Sequence, residues 1–235
     1  MKDLFGKALR DYFNNNYTED IITSTNISGE DELPLPYLFR SFSEMPKLEQ
    51  KALELCRGNV LDVGCGSGSH SLFLQNKGLN VKAIDISEGA VSVAKQRGVS
   101  RLEQRSVLDE TETFDTILLL MNGTGIFQTL DQTATYLKHL KTLLNSNGQI
   151  LIDSSDIQYM YEDDDGGIWI DTNAGYYGEL DYFLSYKGEH EQPMTWLYLD
   201  FERLKFACES VGLQCKKVMD GEHFDYLAKI TAPHH

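Results

Sequence analysis

The segment Val60-Leu61-Asp62-Val63-Gly64-Cys65-Gly66-Ser67-Gly68-Ser69-His70 constrains this chain more than any other. An apolar run enters a turn with a glycine at every second position, and Leu72-Phe73-Leu74 leaves it, a pattern that predicts strand, tight turn and helix. Glycine is needed where the backbone takes positive φ or where a ligand approaches the main chain without meeting a Cβ. The amides that open the helix then face whatever sits above the strand. Such a turn binds a nucleotide-like cofactor in many proteins and only links strand to helix in others, so the rest of the chain must decide.

After Val60, strand and helix patterns alternate. Val81–Ile86 reads as a second strand, with Ser87 as the N-cap of a helix through Ala90, Val91, Val93 and Ala94. A weaker third strand lies near Leu102–Leu108, and Thr116–Met121 is apolar enough for a strand buried on both faces. A helix over Leu130–Leu144, closed by Asn147-Gly148, leads to a strand at Gln149–Asp153. The alternation stops at Ser154. Within the following insertion, Gly167–Asp171 and Tyr177–Lys187 read as strands of a small antiparallel ribbon. A helix over Phe201–Val211 and two strands, Gln214–Met219 and Phe224–Ile230, close the chain as an antiparallel hairpin. This succession predicts an α/β protein with a doubly wound, mostly parallel sheet, and places the chemistry at the carboxyl ends of its strands. Ahead of it, residues 1–47 form a helical and irregular cap: Leu4, Phe5, Ala8, Leu9, Tyr12 and Phe13 are spaced as a helix, while Pro34, Pro36 and Pro46 keep the Glu30–Pro46 stretch irregular.

Charge narrows the partners. With 21 basic against 36 acidic residues the net charge is −15, which disfavours nucleic acid as the primary partner. No uninterrupted apolar run of about 18 residues is present, so no membrane span is expected, and the opening MKDLFGKALRDY lacks the apolar core of a signal peptide. Cys56, Cys65, Cys208 and Cys215 match no zinc or redox spacing and read as reduced thiols of a cytoplasmic protein. No metal site is expected; His190 between Glu189 and Glu191 alternates faces on a strand and has no second histidine close in sequence.

The glycine spacing departs from the GxGxxG turn of nicotinamide-binding folds, because Ser69 stands where the pattern wants no side chain and the third glycine comes one residue early. LDVGCGSG instead resembles the first motif of class I S-adenosylmethionine-dependent methyltransferases. AIDIS, with Asp85 ending the second strand, FDTILLLMN (Phe114–Asn122) and LKTLLNSNGQILID (Leu140–Asp153) resemble later motifs of that family in order. The resemblance covers about residues 50–153 and 200–231 and implies a Rossmann-like sheet of seven strands, residues 48–235 forming the methyltransferase domain and 154–198 a β-rich substrate-side insertion or lid after the fifth strand. It implies S-adenosylmethionine as cofactor and S-adenosylhomocysteine as product. Gly64, Cys65, Gly66, Ser67 and Gly68 would face the methionine portion, with Asp62 orienting the turn. Asp85 would hold the ribose, and Ile86 would lie against the adenine. Ser106 and Val107, or Asp109 in place of the serine, would reach the adenine amine; Met121 and Asn122 would line the methyl-donor side; Arg40 would meet the cofactor carboxylate.

A sulfonium methyl is already reactive, so the protein must chiefly align the acceptor and exclude water, and a general base is needed only where the nucleophile carries a proton. Asn122 is the candidate catalytic group, with the closing of an Asx turn before Gly123 as its alternative role. The sequence after the fourth strand, Met121-Asn122-Gly123-Thr124-Gly125, lacks the motifs of base-methylating enzymes, which leaves a small molecule or a protein side chain; a small-molecule acceptor methylated at O or N is the leading expectation. Tyr37, Tyr161, Trp169, Tyr176, Tyr177 and Trp196 are the candidate acceptor contacts, beside the acid run Glu162-Asp163-Asp164-Asp165, although for most of the insertion's rings a place in the ribbon's own core is the favoured role. A catalytically silent domain that keeps the cofactor site is the alternative function.

Overall fold

The computed structural model describes residues 2–163, 165–170 and 175–233. Its first helix, α1 (Leu4–Phe13), starts where the Asp3 carboxylate accepts the Gly6 amide, and buries Leu4, Ala8 and Leu9 along one face. Two short strands follow, β1 (Ile21–Thr25) and β2 (Asp31–Leu33), then a helical turn α2 (Leu35–Leu38) and the helix α3 (Lys47–Leu55). The alternating part runs β3 (Asn59–Val63), α4 (Ser69–Asn76), β4 (Asn80–Asp85), α5 (Glu88–Arg97), β5 (Leu102–Gln104), β6 (Phe114–Leu119), α6 (Leu130–Thr142) and β7 (Leu144–Ser155). The insertion supplies β8 (Glu179–Tyr186), β9 (Glu189–His190) and β10 (Met194–Leu197). The chain ends in α7 (Phe201–Ser210), β11 (Gln214–Asp220) and β12 (Asp225–Thr231).

Seven strands make the main sheet in the order β11-β12-β7-β6-β3-β4-β5. β5, β4, β3, β6 and β7 pair in parallel, whereas β12 is antiparallel to both β7 and β11. The direction of winding reverses between β3 and β6, the switch point at which sheets of this build leave a crevice above the strand ends. Leu61, Ile117, Ile150 and Ala228 on one face join α6 and α7 residues in the largest core, while Val60, Leu118, Leu151 and Leu227 face α3 and α4 on the other. This is the two-sided burial that makes the central strands read as unbroken apolar runs.

A second, wholly antiparallel sheet has the order β10-β8-β1-β2, with β9 also on β8. Its middle pair joins distant parts of the chain, Ile22 standing opposite Ser185 and Thr25 opposite Tyr182. The sequence pattern showed neither β1 nor β2, and the Glu30–Pro46 stretch expected to be irregular holds β2, α2 and a 3₁₀ turn at Phe42–Glu44. The third parallel strand stops at Gln104, before a 3₁₀ turn at Val107–Asp109. α6 ends at Thr142 and β7 starts at Leu144, well before the expected Gln149, a register irregularity against β6 taking up the extra residues. The strand expected at Gly167–Asp171 does not form in its described part. Asp163 instead accepts the Asp165 and Gly167 amides and the Trp169 indole N–H, folding a turn in which only Ile168 bridges to Glu162. Asp171 and Asp164 lie outside the described residues.

Among the described residues no helix is long and apolar enough to cross a membrane, and no group of three or more His, Cys, Asp or Glu side chains could hold a metal ion. All four cysteines are free and buried.

Candidate active site

The turn after β3 uses its glycines where the backbone demands them: φ is +71° at Gly64, +53° at Gly66 and +86° at Gly68. A Cβ on Gly66 would meet nothing nearer than Phe5 at 3.9 Å, so the main chain there is open to a ligand. The turn is not a phosphate cradle. The Gly64 and Cys65 amides donate to the Ile84 carbonyl, the Gly68 amide to Cys65, and the Gly66 amide to Asp85, so these N–H groups are already spent. Two buried carboxylates also stand at the strand ends. Asp62 accepts the Ser71 hydroxyl at 2.5 Å, and Asp85 accepts the Gly66 and Ser87 amides, each at 2.9 Å. Burial pushes both carboxyls up, against these hydrogen bonds. A neutral, polyhydroxylated nucleoside fits this setting, and a pyrophosphate does not.

Cys65 and Ser67 are buried away from the open side of the turn. Cys65 packs with Ala83, Ala94 and Val99, and burial raises its thiol well above the usual range. The Ser67 hydroxyl donates to the Leu38 carbonyl, and Arg97 donates to both its carbonyl and hydroxyl oxygens, at 2.8 and 2.6 Å. Beyond Asp85, Ile86 is 75% exposed and Leu108 39%, apolar side chains open to a flat ring. Ser106 caps the 3₁₀ turn by accepting the Leu108 amide, Val107 is buried, and Asp109 is exposed.

On the other side of the crevice, Met121 and Asn122 both adopt left-handed conformations, with φ +65° and +60°. Such strain in two consecutive non-glycine residues needs an outside hold. Asp153, at the end of β7, supplies it by accepting the Met121 and Gly123 amides at 3.1 and 2.8 Å. Burial pushes the Asp153 carboxyl up to about 6 despite these amides. Asn122 is itself occupied: its Nδ2 donates to the Leu197 carbonyl at 3.2 Å, and its Oδ1 accepts from Ser154 and Thr124 at 3.0 and 3.3 Å. The side chain thus ties the strand tip to β10, and Met121, 38% exposed, is left facing outward.

Arg40 is buried and paired with Glu49, whose carboxylate it meets at 2.5 Å, and its guanidinium lies 3.8 Å over the Tyr37 ring. His70 Nε2 lies 2.7 Å from Glu49 Oε2, an oxygen that Arg40 also meets. Burial would raise the Glu49 carboxyl, but His70 and Arg40 together hold it below its ordinary range. Arg40 Nε remains buried with no hydrogen-bond partner. Of the expected aromatic contacts, Tyr37 stands nearest this group. Burial raises its phenol, Arg40 opposes, and Glu49, Asp153 and Asp225 add to the rise. Trp196 lies flat on Gly125, where a Cβ would fall 2.1 Å from its ring. Tyr161, Tyr176 and Tyr177 form a separate cluster, Tyr176 donating to Asp200 and Tyr177 to Asp156, each at 2.8 Å. It flanks a cleft of about 480 Å³ lined by Asp156, Asp200, Phe201, Phe224, Asp225 and Tyr226. Trp169, 77% exposed, is not drawn into this group.

Sequence reading missed Glu49, Asp153 and Asp3. Each acts on groups far along the chain, and only the acid ending QILID at Asp153 carried a local signal, its place at a strand tip.

Sheet order, glycine turn and paired strand-end acids define a Rossmann-like domain built around a nucleoside cofactor. A family model described as "Methyltransferase domain" matches residues 57–187, and the chain belongs to that family. It is similar to a crystal structure of an S-adenosylmethionine-dependent methyltransferase from Bacteroides fragilis in complex with S-adenosyl-L-homocysteine, with 41% identity, a TM-score of 0.92, and coverage of 98% of this chain and 95% of the other. The Bacillus subtilis (strain 168) protein YqeM, named only provisionally as a methyltransferase, is 27% identical over 104 residues; the match spans 41% of this chain and 42% of that protein's length. The sugar N-methyltransferase KedS8 of Streptoalloteichus sp. ATCC 53650 shares the fold at 17% identity, with a TM-score of 0.60 and coverage of 90% and 98%.

Proposed function

We propose that this chain transfers the methyl group of S-adenosylmethionine to an oxygen or nitrogen of a small-molecule acceptor and releases S-adenosylhomocysteine. The observation that carries the reading is the glycine turn whose amides are spent inside the protein while Asp85 ends the neighbouring strand beside it. Asp85 accepts from the ribose hydroxyls, Ile86 and Leu108 take the adenine, and the open main chain at Gly64 and Gly66 admits the methionine portion. Arg40, with an unspent Nε beside Glu49, suits the cofactor carboxylate. Asp62 orients the turn through Ser71. Met121 borders the sulfonium, and the aromatic and acidic walls of the cleft at Asp156, Asp200 and Tyr226 receive the acceptor. The net charge of −15 agrees with a small acceptor rather than nucleic acid.

The cofactor supplies the electrophilic methyl; the protein holds the acceptor in line behind it and keeps water out. Both ends of the Asn122 amide are bonded within the protein, so the acceptor's own nucleophilicity must carry the step. The alternative is a domain that binds the cofactor without turnover. Incubation with methyl-labelled S-adenosylmethionine and a fractionated metabolite extract separates the two: label appearing in a small product supports transfer, and tight cofactor binding without any labelled product supports the silent domain.

A further inference from the structure

One carboxylate fastens the N-terminal helix to the donor side of the crevice. Asp3 Oδ1 accepts the Gly6 amide at 2.9 Å and caps α1; the same carboxylate accepts the Ser87 hydroxyl at 2.8 and 2.9 Å, and its Oδ2 accepts the Gly89 amide at 2.8 Å. Two helix N-termini, those of α1 and α5, therefore share one acid. The helices touch so closely that a Cβ on Gly89 would stand 2.4 Å from the Gly6 backbone. Ser87 passes the contact on, since its amide donates to Asp85 Oδ1 while the Gly66 amide holds Oδ2. Phe5, two residues past Asp3, is the side chain nearest the open face of Gly66.

We propose that Asp3 is a positioning residue of the donor site: through Ser87 it fixes the Asp85 carboxylate, and it holds Phe5 of α1 beside the glycine turn, so that a weakened Asp3 contact lets the bound donor leave faster. The proposal rests on the assignment of Asp85 to the ribose. The sign of the effect separates it from a simple charge effect. Asp3 and Asp85 are like charges, and Asp3 adds to the rise of the Asp85 carboxyl that burial causes. Acting through charge alone, removal of Asp3 would improve Asp85 as an acceptor and tighten binding. Acting through position, it loosens binding.

Asp3→Asn keeps an oxygen for the Gly6 amide, and asparagine is itself a preferred cap, but it turns an N–H₂ toward Gly89 or Ser87. Titration calorimetry with S-adenosylhomocysteine, together with the dissociation rate of the complex, should show about a tenfold loss of affinity carried by faster release, with the thermal midpoint of the free protein little changed. Glu189→Gln serves as the control, because Glu189 holds Lys2 and Lys7 of the same N-terminal segment at 2.9 and 2.6 Å without bonding to Ser87 or Gly89; its affinity should match the wild type. Affinity of Asp3→Asn equal to or tighter than wild type overturns the proposal, as does an equal loss in Glu189→Gln. Asp85→Ala is the reference for the reading beneath it: unchanged binding there, or no binding by the wild type, overturns the donor site itself.

Discussion

Asp62, Asp85 and Asp153 lie at or near the carboxyl ends of three parallel strands, and each is buried against amides or a hydroxyl. The first two were legible because motif and turn lie within a few residues of them. Asp153 was not, since the amides it holds, at Met121 and Gly123, come from another strand tip. Its chemistry gives a test. With its carboxyl raised to about 6, the folded chain binds that proton more tightly than the unfolded chain does. The contribution of Asp153 to stability is therefore greatest at low pH, declines as pH rises from the ordinary carboxylate range to about 6, and is level above that. Asp153→Asn removes this slope. The unfolding free energy of the variant minus that of the wild type should move in the variant's favour by on the order of 2 kcal/mol between about pH 4 and about pH 7. Chemical denaturation across that range checks it, and a difference independent of pH refutes the assignment. Asn122 teaches the converse lesson: a side chain at the expected strand tip was legible by position, but its partners Leu197 and Ser154 were not, and they turn it into a tie between the strand tip and β10.

The elements that local pattern revealed are those whose sequence period matches their burial: α1, α6 and the central strands. β1 and β2 carry no such period, because β1 is only half-buried along most of its length and owes its pairing to β8. The α1–α5 contact was equally hidden, although Gly6 and Gly89 are both visible in the sequence. Their crossing predicts the fate of Gly89→Ala. Alanine inside a helix gains about 1 kcal/mol over glycine, but its methyl must push the Gly6 backbone aside, and such overpacking costs about 1–3 kcal/mol. The second effect should win, giving a lower thermal midpoint than wild type; a raised midpoint would mean that α1 does not lie so close to α5.

At the scale of the molecule, the two sheets are held together by the chain's first residues. α1 packs on α5 beside the donor site, while Lys187 and Tyr186 of the insertion bond to Asp11 on its other flank, at 2.8 and 3.1 Å, and β1 completes the insertion's sheet. Removal of residues 2–33 should thus damage both halves at once, exposing Glu179–Tyr186 to limited proteolysis and weakening binding of S-adenosylhomocysteine; a truncated chain as resistant as the full one would show that the insertion folds alone. The pairing of Ile22 with Ser185 also sets an order of events during synthesis. β1 leaves the ribosome long before its partner strand exists, at about 5–20 residues per second, and through that interval it can offer an unpaired edge to other nascent chains. Its neighbour β2 covers the opposite edge of β1, forms the outer edge of the hairpin and carries the exposed acids Asp31 and Glu32. Like charges on adjacent copies repel, so the waiting hairpin is guarded against sticking to its own kind until residue 185 arrives.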